Sequence, residues 1–412
     1  MNAIRFSNCR LHWLTLVLIC FMAAPAHACL NDRDTVAVEM AGLPDVAQVV
    51  SGHFETNPPL YYQMRIDRIK AELTKGAILF AEYDDAAVAC DRIGNDDAAI
   101  EWIEKKHALL PAYDAGNEKM KEQWYRYYAN AGTFWVHRWL RGGAHIETIA
   151  QMDTAATYIK AALAIKPNAH FGREGCQLVV IEWIADTVKS RIAHANTGSD
   201  EEARTIAYDF DDRLKQIAAR NHFDPLTALC GLVVLGNAWE SPDVFSAIGR
   251  QVTLTDQHSL ATMAFMRACE LTNTGHHSIV GLTDQQMLNL SNPSFLSQIE
   301  VYPQMQKEYA QYRRDADHWR ADRDTYMASR LARGDHPDTD EHFWDDYRET
   351  ASTAPSPSVV DRVNYMVFGE GSAGNGPALL CILVCMILIV FICRQAIKDS
   401  LQRSLARHRR EL

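Results

Sequence analysis

Two concentrations of charge could do chemistry in this chain of 412 residues. The first is Asp32-Arg33-Asp34, and a distant run, His170-Phe171-Gly172-Arg173-Glu174, offers an imidazole and a further ion pair. Two carboxylates and a histidine around a closed pocket could act as acid and base, or contact a ligand or metal. The reading we favour is an ion-paired cap that fixes the chain start against residues 170–174, because charged triplets beside a helix start commonly serve as caps. Sixteen histidines invite a metal, yet there is no H-E-x-x-H and no paired-cysteine motif. His318 and Asp322, four apart, and His276-His277 in a turn read as solvated surface, so no metal or other cofactor is expected. G-x-S-x-G is absent. Residues 369–374 match G-x-G-x-x-G but follow no strand and open no amphipathic helix, which makes them a linker.

The elements that would position these groups are bounded by the chain's two ends. Residues 1–28 carry Arg5 and Arg10, an apolar run at 14–22 and Ala26-His27-Ala28, the pattern of a secretory signal peptide cut before Cys29. No charged side chain occurs over 371–393, and 377–393 is just long enough to cross hydrocarbon. The tail 394–412 holds six bases against two acids, which by the positive-inside rule stays cytoplasmic. The expectation is a single-pass protein of a bacterial inner membrane, with its body in the periplasm. The formal charge is −11, and removing the two basic ends leaves the body more acidic still, which argues against nucleic acid as a partner. Cys29, Cys90, Cys176, Cys230 and Cys269 remain in the body at spacings that form no disulfide framework. The last four lie on apolar helical faces and read as buried thiols.

Hydrophobic periodicity predicts helices throughout. In 80–111, Tyr83, Ala86, Ala87 and Cys90 share one face, and Ala99, Ile103 and the stem of Lys106 share another after a break at Gly94-Asn95-Asp96. Gly94 suits the left-handed conformation that ends the first helix, and Asp96 or Asp97 could cap the second. A stretched second hairpin is predicted over 124–140 and 146–165, with Gly132 where helices approach closely. The 22 residues beyond one repeat period are split between 114–123 and 141–145. Further helices are expected at 45–51, 61–73, 170–189, 203–220, 225–235, 242–251 and 257–271. On 61–73, Tyr62, Ile66 and Ile69 form the apolar stripe and Arg65 is placed elsewhere. Residues 303–333 read as one long exposed helix packed along one edge, and 273–303 carry no clear period.

The small and aromatic residues of 80–111, with Pro111 at its close, resemble a 34-residue tetratricopeptide (TPR) repeat. CLNDRDT at 29–35, AHFGRE at 169–174, GNAWESPDVFSAIG at 236–249 and RGDHPDTDEHFWDDY at 333–347 resemble a group of exported bacterial TPR proteins without an assigned activity. The resemblance covers 29–347 and implies an all-α, TPR-like helical-hairpin solenoid; with the ends read above, the chain divides into signal peptide 1–28, N-terminal helical segment 29–79, repeats 80–190, C-terminal helical region 191–350, linker 351–376, membrane helix 377–393 and tail 394–412, the membrane span being a departure from the group's pattern. It implies a protein-binding or scaffold module in which the first helix of each repeat lines a concave groove. That places Asp84, Asp85, Val88, Asp91 and Arg92 in the groove from the first repeat, and Asn130, Thr133 and His137 from the second. Asn130 sits where peptide-binding TPRs often hold a backbone. Asp84 and Asp85 favour a neutral or basic peptide over a terminal carboxylate. The competing readings are an enzyme using Asp32, Asp34 and His170, and a structural assembly subunit.

Overall fold

The computed structural model describes residues 30–349, except 77–78, 168, 194–197, 237, 256 and 292–301. Gly94 adopts φ +78°, and around it α4 (Phe80–Arg92) turns into α5 (Asp96–Leu109) as expected. The N-cap of α5 is Asn95, whose side chain accepts from the Ala98 amide; Asp96 and Asp97 instead place negative charge in the first turn. The next hairpin pairs α6 (Glu118–Arg141) with α7 (Ala150–Ile165). Part of the expected insertion at 114–123 is helical and lengthens α6. A Cβ on Gly132 would stand 2.6 Å from Ile159 Cδ1 and 3.1 Å from the Ala155 carbonyl, so α6 and α7 touch there only because that side chain is missing.

The chain continues through α8 (Arg173–Ala193), α9 (Asp200–Asn221), α10 (Pro225–Val234), α11 (Pro242–Thr253), α12 (His258–Asn273) and α13 (Asp284–Ser291). The last of these lies in the stretch whose period was illegible. Each helix packs on its sequence neighbours, and the described residues form an all-α stack of hairpins without strands. Cys90, Cys176 and Cys230 are buried free thiols, and Cys269 is half-buried.

Before this stack come α1 (Arg33–Ala41), unforeseen as a helix, α2 (Val46–Ser51) and α3 (Pro59–Leu73). After it comes α14 (Tyr302–Leu331). Among the described residues the core has two large parts and a small third around Tyr125, Ala129, Ala162 and Ala169. Tyr127, Ala131 and Phe134 of α6 join α3, α4 and α5, while Val136 and Trp139 of the same helix join α7 to α12. Each such buried apolar side chain contributes about 1.5–3 kcal/mol. The long final helix ties both parts together, with Tyr309 in the second core and Met327 and Leu331 in the first.

That helix was expected to be exposed apart from one packed edge. Met305, Tyr309, Ala316, Trp319, Arg323, Met327 and Leu331 recur on one face and are buried against α12, α2 and α3. Arg313 donates to the Ser51 carbonyl at 2.7 Å, and Arg323 donates to the Thr56 carbonyl at 2.8 Å. Gly52, at φ +84°, lets Trp239 and Arg313 close over the end of α2. Among the described residues no helix is long and apolar enough to cross a membrane. The expected signal peptide, linker, membrane helix and tail lie outside those residues.

The two glycines separate backbone strain from close packing. Gly94 has open space around its Cβ position, so Gly94→Val costs only the left-handed backbone, about 1–2 kcal/mol. Gly132→Val must push α7 away and is expected to cost about 3 kcal/mol. Chemical denaturation of the full chain reads both, and an equal loss at the two positions would remove the close approach from the account.

Candidate functional site

The inner stripe of α4 and α6 is where a groove was expected, and most of it is covered. Asp84 is fully buried and accepts from Lys106 Nζ at 2.7 and 2.8 Å, with Asn130 Nδ2 at 3.1 Å from the same carboxylate. Burial pushes the Asp84 carboxyl up and the Lys106 ammonium down, and their contact opposes both shifts. Asp85 accepts from the Arg33 amide at 3.0 Å and from its Nε at 2.7 Å. Val88 is core. Asp91, also without exposure, meets His137 Nδ1 at 2.7 Å and Arg141 Nη1 at 3.0 Å. Burial raises its carboxyl, but His137 and Arg141 outweigh that and hold it at about 2. Thr133 accepts from Gln177 Nε2 at 3.0 Å and donates to the Ala129 carbonyl. The expected acidic face is therefore paired inside the protein and not presented to solvent.

What covers it is the segment 30–34. Asn130 Oδ1 accepts from the Asn31 amide at 2.7 Å, and its Nδ2 reaches the Asn31 carbonyl at 3.5 Å. Asn130 thus holds the backbone of residue 31 of this chain, where the resemblance implied that of a bound peptide.

The charged triplet follows directly. Asp32 caps α1 by accepting from the amide and hydroxyl of Thr35 at 2.9 and 2.7 Å. The cap reading placed its ionic partner at 170–174, but the partner is Arg65, fully buried on the apolar face of α3. Arg65 reaches Asp32 at 3.4 Å, Asp34 at 2.9 Å and Asp338 at 2.6 and 2.8 Å. Tyr61 donates to Asp34 at 2.7 Å, and Arg68 donates to Asp338 at 3.1 Å. His336 stacks on Tyr61; its Nε2 lies 3.0 Å from the Tyr61 carbonyl and its Nδ1 accepts from the Asp338 amide, an arrangement that suits the neutral ring. Burial lowers the His336 imidazole. Burial and the neighbouring Asp34 charge push Asp32 up to about 7 against the pull of Arg65. Burial also raises Asp338, but bonding to Arg65 holds it at about 2.

Arg173 and Glu174 open α8 in the interior, behind the left-handed pair Phe171 (φ +60°) and Gly172 (φ +80°). Glu174 accepts from the Tyr125 hydroxyl. Both bear on Glu39 of α1, which burial raises to about 8 despite Arg173. The side chain of His170 lies outside the described residues.

Between the N-terminal arm and the stack lies a cavity of about 1710 Å³. The first helices of successive hairpins supply Arg92, Thr133, His137, Arg141, Arg173 and Gln177 to its wall. The arm supplies Leu30, Asp32, Arg33, Asp34 and Ala37, and Leu232, Leu235 and Trp239 add apolar surface. Of the groove residues, Arg92, Thr133 and His137 reach the cavity, whereas Asp84, Asp85, Val88, Asp91 and Asn130 stand behind it. The two candidate clusters thus meet around one space. Sequence reasoning missed Arg65, Lys106 as an ion-pair partner, Arg141, Asp338 and His336. For Arg65 a signal existed, since it falls three residues after Tyr62 and four before Ile69 and so shares their stripe. Among the described residues no group of three or more histidine, cysteine, aspartate or glutamate side chains could hold a metal ion.

Asp32 and Glu39 bind protons more tightly folded than unfolded, so their contribution to stability falls as pH rises from about 4 through about 7 and 8. Asp91 and Asp338 act oppositely, and their contribution is lost only below about 4. The melting temperature is therefore expected to fall by a few degrees between pH 6 and 8.5, and Glu39→Gln should flatten that fall. An unchanged slope in a pH-dependent melting series would show that Glu39 does not carry it.

Comparison with known protein families, with characterised proteins and with solved structures finds no match for this chain.

Proposed function

We propose that this chain is a TPR-like binding module, held outside the cytoplasm by one C-terminal membrane helix, which captures a polypeptide segment in its interior cavity. One observation carries the reading: the inner face of the hairpins already accommodates a polypeptide, the arm at residue 31 held through its backbone by Asn130, beside about 1710 Å³ of further space. That volume exceeds the roughly 300–1,000 Å³ of small-molecule sites and favours a chain-like ligand. The neutral or basic partner expected from Asp84 and Asp85 loses its support, because both carboxylates are answered by Lys106 and Arg33. The enzyme reading also loses ground. Asp32 and Asp34 are engaged by Thr35, Tyr61 and Arg65, which suits positioning of the arm better than turnover.

Ala37 is exposed on α1 and lines the cavity, so a large side chain there fills the space without entering the core. Ala37→Trp should leave helical circular dichroism unchanged while reducing capture of the native partner by about tenfold in a pull-down with the full chain. Undiminished capture would move the binding surface elsewhere.

The membrane tether rests on the sequence of residues 1–28 and 371–412. Protease added to the periplasmic side of intact inner membranes should digest the body and leave a fragment of the C-terminal segment. Protection of the body would overturn this orientation.

A further inference from the structure

Charge is distributed across the cavity wall in a definite order of depth. Arg92 ends α4, and His137 and Arg141 stand one turn apart on α6; all three line the cavity. The carboxylates that balance them are set back. Asp91 is fully buried behind His137 and Arg141, and Asp96, mostly buried at the start of α5, accepts from Arg141. With Nδ1 of His137 taken by Asp91, its Nε2 is the ring nitrogen left for the cavity. Arg92 is aimed by a 2.8 Å bond to the Leu235 carbonyl, itself part of the wall. A ligand in the cavity meets the guanidinium groups of Arg92 and Arg141 and the donor face of His137 first and the carboxylates at greater distance, so the local field favours negative charge.

The other carboxylates around the cavity do not cancel this. Asp32, Asp34 and Asp338 are held by Arg65, Asp338 also by Arg68, and Glu55 pairs with Arg323. Glu240 is exposed to solvent. Beside the cationic wall Val136, Leu140 and Leu235 are apolar, and a charge-assisted bond gains strength where water is displaced.

We propose that Arg92, His137 and Arg141 bind a carboxylate of the captured segment, so that the partner is an acidic peptide with apolar residues flanking the acid. The proposal rests on peptide capture in the cavity and names the chemistry of what is captured.

The test uses the purified full chain and three acetylated, amidated decapeptides bearing a neutral fluorophore, in which leucine alternates with glutamate, glutamine or lysine. Fluorescence anisotropy should rank glutamate about tenfold tighter than glutamine and lysine weakest, with the glutamate peptide losing affinity as salt rises. Arg92→Gln and His137→Gln should each erase the preference for glutamate while helical circular dichroism stays unchanged. Glutamine at 137 keeps a donor for Asp91, which guards the fold if the Arg92 variant is unstable. A preference that survives both substitutions overturns this site. Equal binding of the three peptides, or tighter binding of the lysine peptide, overturns the acidic partner and leaves peptide capture standing. Binding of none overturns both readings. Free octanoate should fail to displace the glutamate peptide; displacement at micromolar concentration would make the source a small organic acid and overturn the peptide carboxylate.

Discussion

A fully buried guanidinium is the constraint on which the N-terminal part of this protein depends. Arg65 loses all its water and regains partners from three places: Asp32 and Asp34 at the chain start, Tyr61 one turn earlier, and Asp338 beyond the last helix. Desolvating such a group costs several kcal/mol, so the assembly is weak ground for claiming net stability. Its effect is selective. Withdrawing any one carboxylate leaves a buried charge short of a partner, which penalises every arrangement except the one that brings all of them together. The arm, α3 and the segment after α14 are thereby fixed relative to one another.

With the arm fixed, the cavity acquires its character. Residues 30–34 lie over the deepest acids of α4, and Asn130 and Asp85 read the arm's backbone through its amides. A second buried pair, Lys106 with Asp84, neutralises the floor beneath. What remains accessible on the first helices is the outer part of the stripe, where Arg92, His137 and Arg141 stand. The arm is thus both a plug for one half of the concave face and a wall for the other.

Local features of the fold were legible because local physics decides them. Gly94 needed only the requirement for positive φ at a helix end, and Gly132 only the rule that close helices want small residues. The hairpin order followed from period and breaks. The partners were illegible because they are remote in sequence: residue 31 lies 99 positions from Asn130, and Arg65 lies 273 from Asp338. A helical face marks Asp84 and Asp91 as inward, but no periodicity tells whether inward means a wet groove or a packed arm. The same gap applies to α14. Its packed edge is spaced as a helix requires, yet Arg323 lies on that face and charges crowd the rest, so the sequence shows an edge without telling how deeply it is buried or against what.

The placement of α14 has a consequence for the order in which the molecule can be completed. Its contacts to Ser51, Thr56 and Glu55 span 262 to 268 residues, and the neighbouring loop that supplies Asp338 spans more. A chain made from its N-terminus can form the hairpins as they emerge, since those contacts are local. The arm, by contrast, waits beside an incomplete ion cluster until nearly 340 residues exist. The chamber between the arm and the stack is therefore completed only after α14 and the loop that follows it have been made.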